Sequence, residues 1–412
     1  MKVLIVTHYF PPEIGAPQAR LSELAGAWAT AGDEVTVLTG MPNHPTGIVP
    51  PAYRRRLRVE EMADGYRIVR SWLYATPNEG FVKKSLGHLS FMVSSVALGA
   101  ARVGPVDVVL VSSPTFFSIF GAWVISRLRK TPLVLDIRDL WPAIFVELGV
   151  LTDHRIIALL EALERWAYRQ AAEVVVVTEG FRRNLTERGV NAAKLTVIPN
   201  GADIERFSPG GDPTAGRFRL KAQDGEVIAL YLGAHGLSQG LDTLVEAAAL
   251  LAETGAPVRL AMVGEGAKRA EIEAHVRRRR LRNVTMLPGV SRDEVPALLA
   301  AADICVVTLR DIPLFSTFIP SKIFEYLAAG KPVIGALRGE AASILSAAGA
   351  VVVAPGDAVA LSSAIENLAN DRAKRERMAQ AGRQYALGHF DRRKLADRYR
   401  AVLARCTTAQ KG

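Results

Sequence analysis

Residues 318–334 read FIPSKIFEYLAAGKPVI, a pattern that predicts a short helix leading directly into a buried strand. Pro320 is expected at the first helical position, because a proline there leaves no backbone N–H without a partner. Gly330 is the expected end of the helix, and the apolar residues after Pro332 predict a strand. Such helix-to-strand succession is typical of an α/β fold.

The start of this helix also carries polar side chains that suit a nucleotide. The first N–H groups of a helix favour an anion, and Lys322 adds a positive charge beside them. Ser321, Lys322 and Glu325 are spaced to face one ligand, and a carboxylate can accept hydrogen bonds from both hydroxyls of a ribose. The segment therefore predicts a site for a nucleotide diphosphate. The alternative is an ordinary amphipathic helix with an exposed Lys–Glu pair.

Apolar strands alternate with helical patterns along the whole chain, which predicts parallel sheets covered on both faces. The strands predicted in the first half are residues 3–7, 34–39, 66–72, 106–111, 133–136, 173–177 and 195–198. Those of the second half are residues 227–232, 258–263, 284–287, 304–307, 332–336 and 350–353. A helix is also predicted over residues 19–31, and a Gly/Pro-rich segment, residues 208–216, separates the halves.

These patterns predict two doubly wound, Rossmann-like α/β domains that face a cleft. Residues 1–205 would form an N-terminal acceptor-side domain, residues 206–388 a nucleotide-sugar-binding domain, and residues 389–412 a C-terminal helix. Ligands of such sheets bind at the carboxyl ends of the strands.

The composition limits the possible partners. The chain has 412 residues, 49% of them apolar, and a formal net charge of +10. No sequence signature of a nucleic-acid-binding module accompanies its arginine runs, so the anionic inner face of a cell membrane is the preferred partner. Coding bias towards arginine would give the same runs without any partner.

The location expected for the chain is cytoplasmic. Its two cysteines, Cys305 and Cys406, cannot form a disulfide framework, and its opening apolar run is too short for a signal peptide. Residues 85–101 carry no formal charge. They predict either a helix buried against the sheet or a monotopic helix that rests on a membrane.

Two candidate groups lie in the first half. Arg138 and Asp139 end an apolar strand, where a catalytic site is expected, although an Arg–Asp pair that only holds a loop would have the same sequence. Gly15 follows the first strand and precedes a helix, so a phosphate could approach its backbone. His8, in the same loop, is either functional or simply a polar loop residue.

Glycine-rich turns supply the candidates of the second half. Backbone N–H groups can close on a phosphate where glycine follows a strand, and a flat base could lie against a turn of this kind. The chain contains no Asp-x-Asp and its histidines are scattered, so no metal or other cofactor is expected. A departing diphosphate would then be stabilised by Lys322 and Arg138. The turn residues concerned are Gly233, Gly236, Gly264, Gly266, Gly289 and Val290.

These segments together resemble glycosyltransferase family 4, the sugar-nucleotide transferases of GT-B fold. The matching motifs follow one another from residue 1 to about residue 335. The segments HYFPPE at residues 8–13, IRDLWP at 137–142 and PSK at 320–322 are closer still to a bacterial branch that builds surface polysaccharides. That branch includes a protein assigned as the N-acetyl-L-fucosamine transferase of O-antigen synthesis. The other matching segments are Gly15, residues 33–38, 198–207, 264–266 and 325–333.

The chain departs from the family at four positions. Thr317 stands where the first glutamate of a family pair is usual, and Arg138 stands at the position of the active-site histidine. Ala234 and Gln239 replace the arginine and lysine that bind the diphosphate in the family. The resemblance therefore implies that Lys322 takes over the diphosphate, while Glu325 still binds the ribose.

The resemblance implies a function. The chain would move an N-acetylated sugar from a UDP-linked donor onto an undecaprenyl-linked or other glycan acceptor, with retention of anomeric configuration. The C-terminal helix, over residues 392–405, would cross back onto the N-terminal domain, as it does in the family. Two alternatives remain: a UDP-sugar epimerase of the same fold, and a non-catalytic nucleotide-sugar-binding subunit of an assembly complex.

Overall fold

The computed structural model describes residues 1–13, 15–44, 46–76, 81–113 and 116–409. The chain folds into two compact units. The first consists of Met1–Pro199 with Arg393–Gly412, and the second consists of Asn200–Arg392. Each unit is built on its own sheet of mainly parallel strands, which confirms the predicted fold class.

The described part of the first unit contains an eight-stranded sheet in the order β3-β4-β2-β1-β5-β6-β7-β8. Neighbouring strands are parallel except β3 and β4. The strand order changes direction between β1 and β5. The strands are β1 Lys2–Val6, β2 Glu34–Gly40, β3 Arg58–Ala63, β4 Tyr66–Ser71, β5 Val108–Ser112, β6 Leu133–Ile137, β7 Glu173–Val176 and β8 Leu195–Val197.

The edge strand β3 was not predicted from the sequence. Among the described strands it pairs only with β4, and its side chains alternate between half-buried and exposed over its last residues. Such a strand needs no continuous apolar run, and charged residues at an edge discourage pairing with other chains. Glu60 and Met62 are exposed accordingly.

Helices cover this sheet, and they include the uncharged segment of residues 85–101. That segment lies in α2 and in two further helical turns, Ser95–Gly99 and Ala100–Arg102. Phe91 and Gly99 are buried, whereas Leu86 and Val93 are 48% and 60% exposed. The segment is therefore neither wholly buried nor wholly exposed to solvent. The helices are α1 Ala16–Thr30, α2 Phe81–Ser94, α3 Ser118–Arg129, α4 Ala143–Glu147, α5 His154–Gln170 and α6 Glu179–Glu187.

The second unit has a six-stranded parallel sheet in the order β11-β10-β9-β12-β13-β14, and its strand order changes direction between β9 and β12. The strands are β9 Val227–Leu232, β10 Val258–Val263, β11 Val284–Leu287, β12 Ile304–Thr308, β13 Val333–Ala336 and β14 Val351–Val353. The helices are α7 Thr214–Arg219, α8 Leu241–Glu253, α9 Arg269–Arg278, α10 Val295–Ala301, α11 Lys322–Ala328, α12 Glu340–Ala347, α13 Ala358–Asn370 and α14 Arg372–His389.

The last helix, α15 Arg392–Ala409, packs on the first unit. The indole N–H of Trp28 donates a hydrogen bond to the Ala396 carbonyl at 3.0 Å, and Arg400 pairs with Asp33 at 2.6 Å. Leu403 is fully buried in the same core cluster as α1. No helix within the described residues is long and apolar enough to cross a membrane.

Candidate functional site

The second unit brings several of the predicted nucleotide-binding residues to one end of its sheet. β9 and β12 are neighbours where the strand order changes direction, and doubly wound sheets bind their ligands beyond the carboxyl ends of such strands. The chain leaves β9 at Gly233 and returns through the segment that follows β12 to α11. Lys322, the first residue of α11, lies over a side chain of β9.

The helix α11 begins two residues later than predicted. Pro320 is not its first residue, because the Pro320 carbonyl accepts a hydrogen bond from Ile323 N at 3.0 Å in a tighter turn ahead of the helix. The predicted end is confirmed: Gly330 has φ 62°, and Lys331 N donates to the Tyr326 carbonyl at 3.0 Å. Only a residue that tolerates positive φ closes a helix in this way, so glycine is favoured there.

Lys322 is half-buried and forms no ion pair within the described residues. Its Nζ lies 3.7 Å from the centroid of the Tyr231 ring and 3.4 Å from Gln239 Oε1. Burial lowers the pKa of Lys322 to about 7, although the charge of Glu325 opposes this shift. The side chain is therefore an amine held against an aromatic face, and not the exposed Lys–Glu pair of the alternative interpretation.

Two tyrosines that the sequence did not single out hold this arrangement together. The Tyr231 hydroxyl lies 2.8 Å from the Ala234 carbonyl and 3.0 Å from Gln239 Oε1. The Tyr326 hydroxyl accepts from Leu232 N at 2.8 Å and lies 3.0 Å from the carbonyl of the same residue. Tyr326 thereby attaches α11 to the end of β9, which fixes the position from which Lys322 extends.

Three of the predicted glycines, Gly233, Gly264 and Gly266, are needed mainly because the loops after β9 and β10 pack closely together. A Cβ atom at Gly264 would lie 1.9 Å from the Gly233 carbonyl oxygen, and one at Gly266 would lie 2.5 Å from the His235 carbonyl oxygen. A Cβ at Gly233 would lie 3.0 Å from Lys322 Nζ. All three glycines have φ between 143° and 156°, which other residues rarely adopt. At Gly236, by contrast, the nearest atom to an added Cβ is 4.0 Å away.

The remaining candidates of this unit lie at its surface or near it. Ser321 is half-buried, and its hydroxyl accepts a hydrogen bond from Asn200 Nδ2 at 3.1 Å. Glu325 is half-buried on α11. Gly289 is exposed, and its N–H donates to Glu265 Oε1 at 3.2 Å, while Val290 beside it is half-buried. Polar groups of the kind that bind a base and a ribose are thus present at the end of this sheet.

In the first unit, the ion pair near the end of β6 is not between Arg138 and Asp139. Asp136 is fully buried, pairs with Arg20 at 2.8 Å and accepts from the Ser112 hydroxyl at 2.8 Å. Burial alone would raise the pKa of Asp136, but Arg20 and Arg138 together hold it below its usual value. Arg138 and Asp139 still act on each other through their charges, because Asp139 raises the pKa of Arg138 and Arg138 lowers that of Asp139.

Arg138 keeps an unsatisfied donor. Its Nη1 atom is buried and has no hydrogen-bond partner among the described residues. Burial lowers the pKa of Arg138 to about 9, and burial likewise raises the pKa of Asp139. Two adjacent ionisable side chains whose charges are only partly compensated are typical of functional sites.

The loop after β1 gathers aromatic and basic rings. His8 is buried, and its ring centroid lies 4.4 Å from that of His88. The Tyr9 hydroxyl lies 3.3 Å from His88 Nε2. Burial and the two neighbouring histidines, His88 and His44, hold the pKa of His8 well below its usual value. Gly15 follows this loop in extended backbone and precedes α1. In the sequence, His44 and His88 lie 36 and 80 residues from His8, so it gave no signal of the cluster.

Among the described residues, no group of three or more His, Cys, Asp or Glu side chains is arranged to hold a metal ion.

Comparison with known families covers both units. Residues 15–201 match the family described as "Glycosyl transferase 4-like domain". Residues 214–385 match the family described as "Glycosyl transferases group 1". The two matches correspond to the first and the second unit.

Among solved structures, the sucrose-phosphate synthase of Thermosynechococcus elongatus superposes with a TM-score of 0.79 at 21% identity, covering 99% of each chain. The Anabaena protein HepE, solved in complex with UDP and glucose, superposes with a TM-score of 0.74 at 18% identity, covering 98% of this chain and 99% of that one. These likenesses show a shared fold.

Among curated relatives, WcaI of Escherichia coli (strain K12), a glycosyl transferase assigned to colanic acid biosynthesis, is 30% identical over 337 residues. The match covers 80% of this chain and 82% of WcaI. The resemblance drawn from the sequence motifs is thus confirmed at the level of the family. The chain belongs to the group 1 and 4-like glycosyltransferases of GT-B fold, which take their sugar from a nucleotide sugar.

Proposed function

We propose that this chain transfers an N-acetylated sugar from a UDP-linked donor to an undecaprenyl-linked or other glycan acceptor in bacterial surface polysaccharide synthesis. The transfer retains the anomeric configuration and uses no metal ion or other cofactor. The observation that carries the donor half of the proposal is Lys322: a half-buried amine that lies over the Tyr231 ring, held where a doubly wound sheet binds its ligands.

Lys322 suits the diphosphate of such a donor. A phosphate oxygen would add its negative charge to that of Glu325 near this amine, and charge-assisted hydrogen bonds to phosphate are short and strong. The same contact would strengthen as the glycosidic bond breaks and charge develops on the leaving diphosphate. Lys322 therefore acts on the leaving group, and the carboxylate of Glu325, one turn along α11, accepts from the ribose hydroxyls.

The relatives support the proposed donor and the proposed branch. HepE, which shares the fold, binds UDP and UDP-glucose, and WcaI belongs to the synthesis of a surface polysaccharide. The sequence motifs of residues 8–13, 137–142 and 320–322 favour an N-acetylated sugar of the N-acetyl-L-fucosamine class. O-antigen and capsule are the polysaccharides that such a transferase would serve.

The acceptor half of the reaction belongs to the first unit. Arg138 and Asp139 would order the reacting groups there, since Arg138 has a donor without a partner and Asp139 has a raised pKa. A carboxyl group with a raised pKa is a stronger base towards a sugar hydroxyl than an ordinary carboxylate.

A patch of exposed apolar side chains on the first unit supports contact with a membrane. Leu57, Trp72, Tyr74, Leu86 and Val93 are each at least 42% exposed. Backbone contacts hold part of the patch together, because Trp72 N donates to the Leu57 carbonyl at 2.9 Å.

The patch continues onto α2. The Ser94 hydroxyl donates to the Trp72 carbonyl, and Tyr74 N donates to the Ser90 hydroxyl at 2.7 Å. Residues 54–56, three exposed arginines, precede Leu57 directly. Aromatic and basic side chains beside exposed apolar ones suit the surface of an anionic bilayer. We therefore place the chain in the cytoplasm, as a peripheral protein on the inner face of the cell membrane.

The proposal is tested by donor turnover. Purified protein is incubated with UDP-N-acetylhexosamines, UDP-glucose and GDP-mannose, with and without an undecaprenyl-linked glycan extract, and the released nucleotide is measured. We expect acceptor-dependent release of UDP that persists in EDTA and falls at least tenfold in Lys322→Met, which is about 1.4 kcal/mol of barrier. Lys268→Met, in an exposed ion pair with Glu271 of the same unit, is the matched control. Release of no nucleotide with any acceptor would refute the proposal.

A further inference from the structure

His235 lies in the loop between β9 and α8, where the strand order of the second unit changes direction. Its side chain is fully buried. The backbone on both sides of it is fixed, since His235 N donates to the Glu265 carbonyl at 2.8 Å and Lys268 N donates to the His235 carbonyl at 2.9 Å. Gly266 packs directly against the same backbone. Only the side-chain torsions of His235 are left to change.

The imidazole of His235 has no hydrogen-bond partner. Neither Nδ1 nor Nε2 is bonded to any group that the structure describes. Burial, together with the charges of Arg269 and Lys322, lowers the pKa of His235 to about 4, so the ring is neutral near pH 7. A neutral imidazole has one N–H donor and one acceptor nitrogen. An unmet polar group of this kind destabilises a folded protein.

His235 is unusual among the buried polar side chains of its unit. Arg259 pairs with Glu226 at 2.7 Å, the Thr308 hydroxyl donates to the Gln239 carbonyl at 2.6 Å, and the Ser362 hydroxyl donates to the Val359 carbonyl at 2.9 Å. Asn200 and Asn283 of the same unit each leave one buried amide oxygen unbonded, but at His235 both polar atoms lack a partner, which calls for a ligand or a functional explanation.

The ring also lies close to the amine that the proposed function assigns to the diphosphate. The Tyr231 ring contacts both, since its centroid is 5.8 Å from that of His235 and 3.7 Å from Lys322 Nζ. His235 Cδ2 would lie 3.2 Å from a Cβ on Gly264, and Lys322 Nζ would lie 3.0 Å from a Cβ on Gly233. The Gly264 position itself is in contact with the Gly233 carbonyl. The imidazole and the amine therefore both lie near Gly233.

We propose that His235 is a second ligand of the donor's diphosphate, and that its imidazole N–H turns from its buried position to donate to a phosphate oxygen beside Lys322. This inference rests on the proposed function, because it takes the diphosphate at Lys322 as given. Ala234, the preceding residue, offers only backbone atoms to a ligand. The imidazole thus provides a side-chain donor on this loop, and the bound state satisfies a donor that the empty state leaves unmet.

The test compares His235→Leu with His235→Gln, and Ser362→Ala serves as a control at a buried polar residue that has its partner. Binding of UDP and of uridine, which lacks the phosphates, is measured by calorimetry, and the melting temperature of each ligand-free variant is recorded. We expect His235→Leu to bind UDP at least tenfold more weakly and uridine as the wild type does. Its melting temperature should be unchanged or higher, since an unbonded polar group has been removed. His235→Gln, which keeps an N–H donor, should recover part of the UDP affinity.

Three results would overturn the inference. Wild-type affinity of His235→Leu for UDP would show that the imidazole does not touch the phosphates. An equal loss for UDP and uridine, or a marked fall in melting temperature, would show that it serves the base or the fold. If the wild type bound none of UDP, GDP, ADP and TDP, the proposed function would fail, and this inference with it.

Discussion

Replacement of Lys322 by methionine should weaken UDP binding and abolish most of its dependence on pH. Methionine keeps much of the length of the side chain and its contact with the Tyr231 ring, but it removes the charge. A hydrogen bond to a charged group contributes about 1.5–3 kcal/mol. The dissociation constant for UDP should therefore rise by about 10- to 150-fold.

The pH dependence follows from the position of Lys322. Burial lowers the pKa of Lys322 to about 7 in the ligand-free protein, so the amine is about half protonated at neutral pH. A bound phosphate favours the protonated form, so binding takes up a proton. Above about pH 7 the affinity of the wild type for UDP should fall, by at most about tenfold for each pH unit. In Lys322→Met this dependence should largely disappear.

As the pH rises, Lys322 should make the ligand-free protein more stable, whereas the affinity for UDP falls. The pKa of this lysine is lower in the folded protein than its ordinary value of 10.5. Between about pH 7 and about pH 10 the unfolded chain therefore binds more protons at this residue, and its contribution to the free energy of unfolding rises with pH. The melting temperature of wild type minus that of Lys322→Met should increase over this range.

Calorimetry in two buffers of different ionisation enthalpy measures the proton uptake directly. Lys268→Met should bind UDP as the wild type does, because its amine is already paired with Glu271. UDP affinity of the wild type that stayed constant between about pH 7 and about pH 9 would refute the reasoning, because the diphosphate itself is ionised throughout that range.

Four other changes test the fold and the proposed surface. Leu403→Ala, in the fully buried part of α15, should lower the free energy of unfolding by about 2–5 kcal/mol in urea titration. Asp136→Asn should cost about 3–5 kcal/mol in the same assay, because its arginine partner would be left buried with an unpaired charge. Gly264→Ala should cost about 1–3 kcal/mol, since its Cβ would lie 1.9 Å from a carbonyl oxygen, whereas Gly388→Ala should be neutral or stabilising. Replacement of residues 54–56 by serine should weaken sedimentation with phosphatidylglycerol vesicles, and added salt should weaken binding of the wild type.

Specific results would contradict these expectations. An unaltered unfolding curve of Leu403→Ala would mean that α15 does not stabilise the first unit. Equal effects of the two glycine changes would remove the argument that the loops after β9 and β10 require a residue without a side chain. Equal sedimentation with neutral and anionic vesicles would exclude charge as the basis of membrane contact.

The central strands could be predicted from the sequence because their signal is local. The predicted bounds of residues 227–232, 258–263 and 284–287 coincide with β9, β10 and β11. Each is an apolar run between residues that favour turns, as expected for parallel strands buried on both faces. β3 lacks such a run and was missed.

The site could be predicted only in part, for a related reason. Lys322 and Glu325 are one turn apart on the same helix, so their proximity can be read from spacing. The Lys322 amine contacts the Tyr231 ring and the Gln239 side chain, and both residues are more than eighty positions away in the sequence. Spacing cannot show such contacts, and likewise the pairing of Arg20 with Asp136 depends on how α1 packs against β6.

The absence of permanent charge at Ala234 and Gln239 has an energetic consequence for the empty site. A guanidinium that is buried without a partner remains charged, and its desolvation costs several kcal/mol until a ligand arrives. Lys322 and His235 avoid that cost, because burial lowers the pKa of both. On the proposals made above, Lys322 regains its charge when the diphosphate binds, and His235 contributes a neutral N–H donor. This chain would thus bind the diphosphate more weakly at high pH, but its ligand-free state would be more stable. The number of protons taken up on binding distinguishes such a site from one built on arginine.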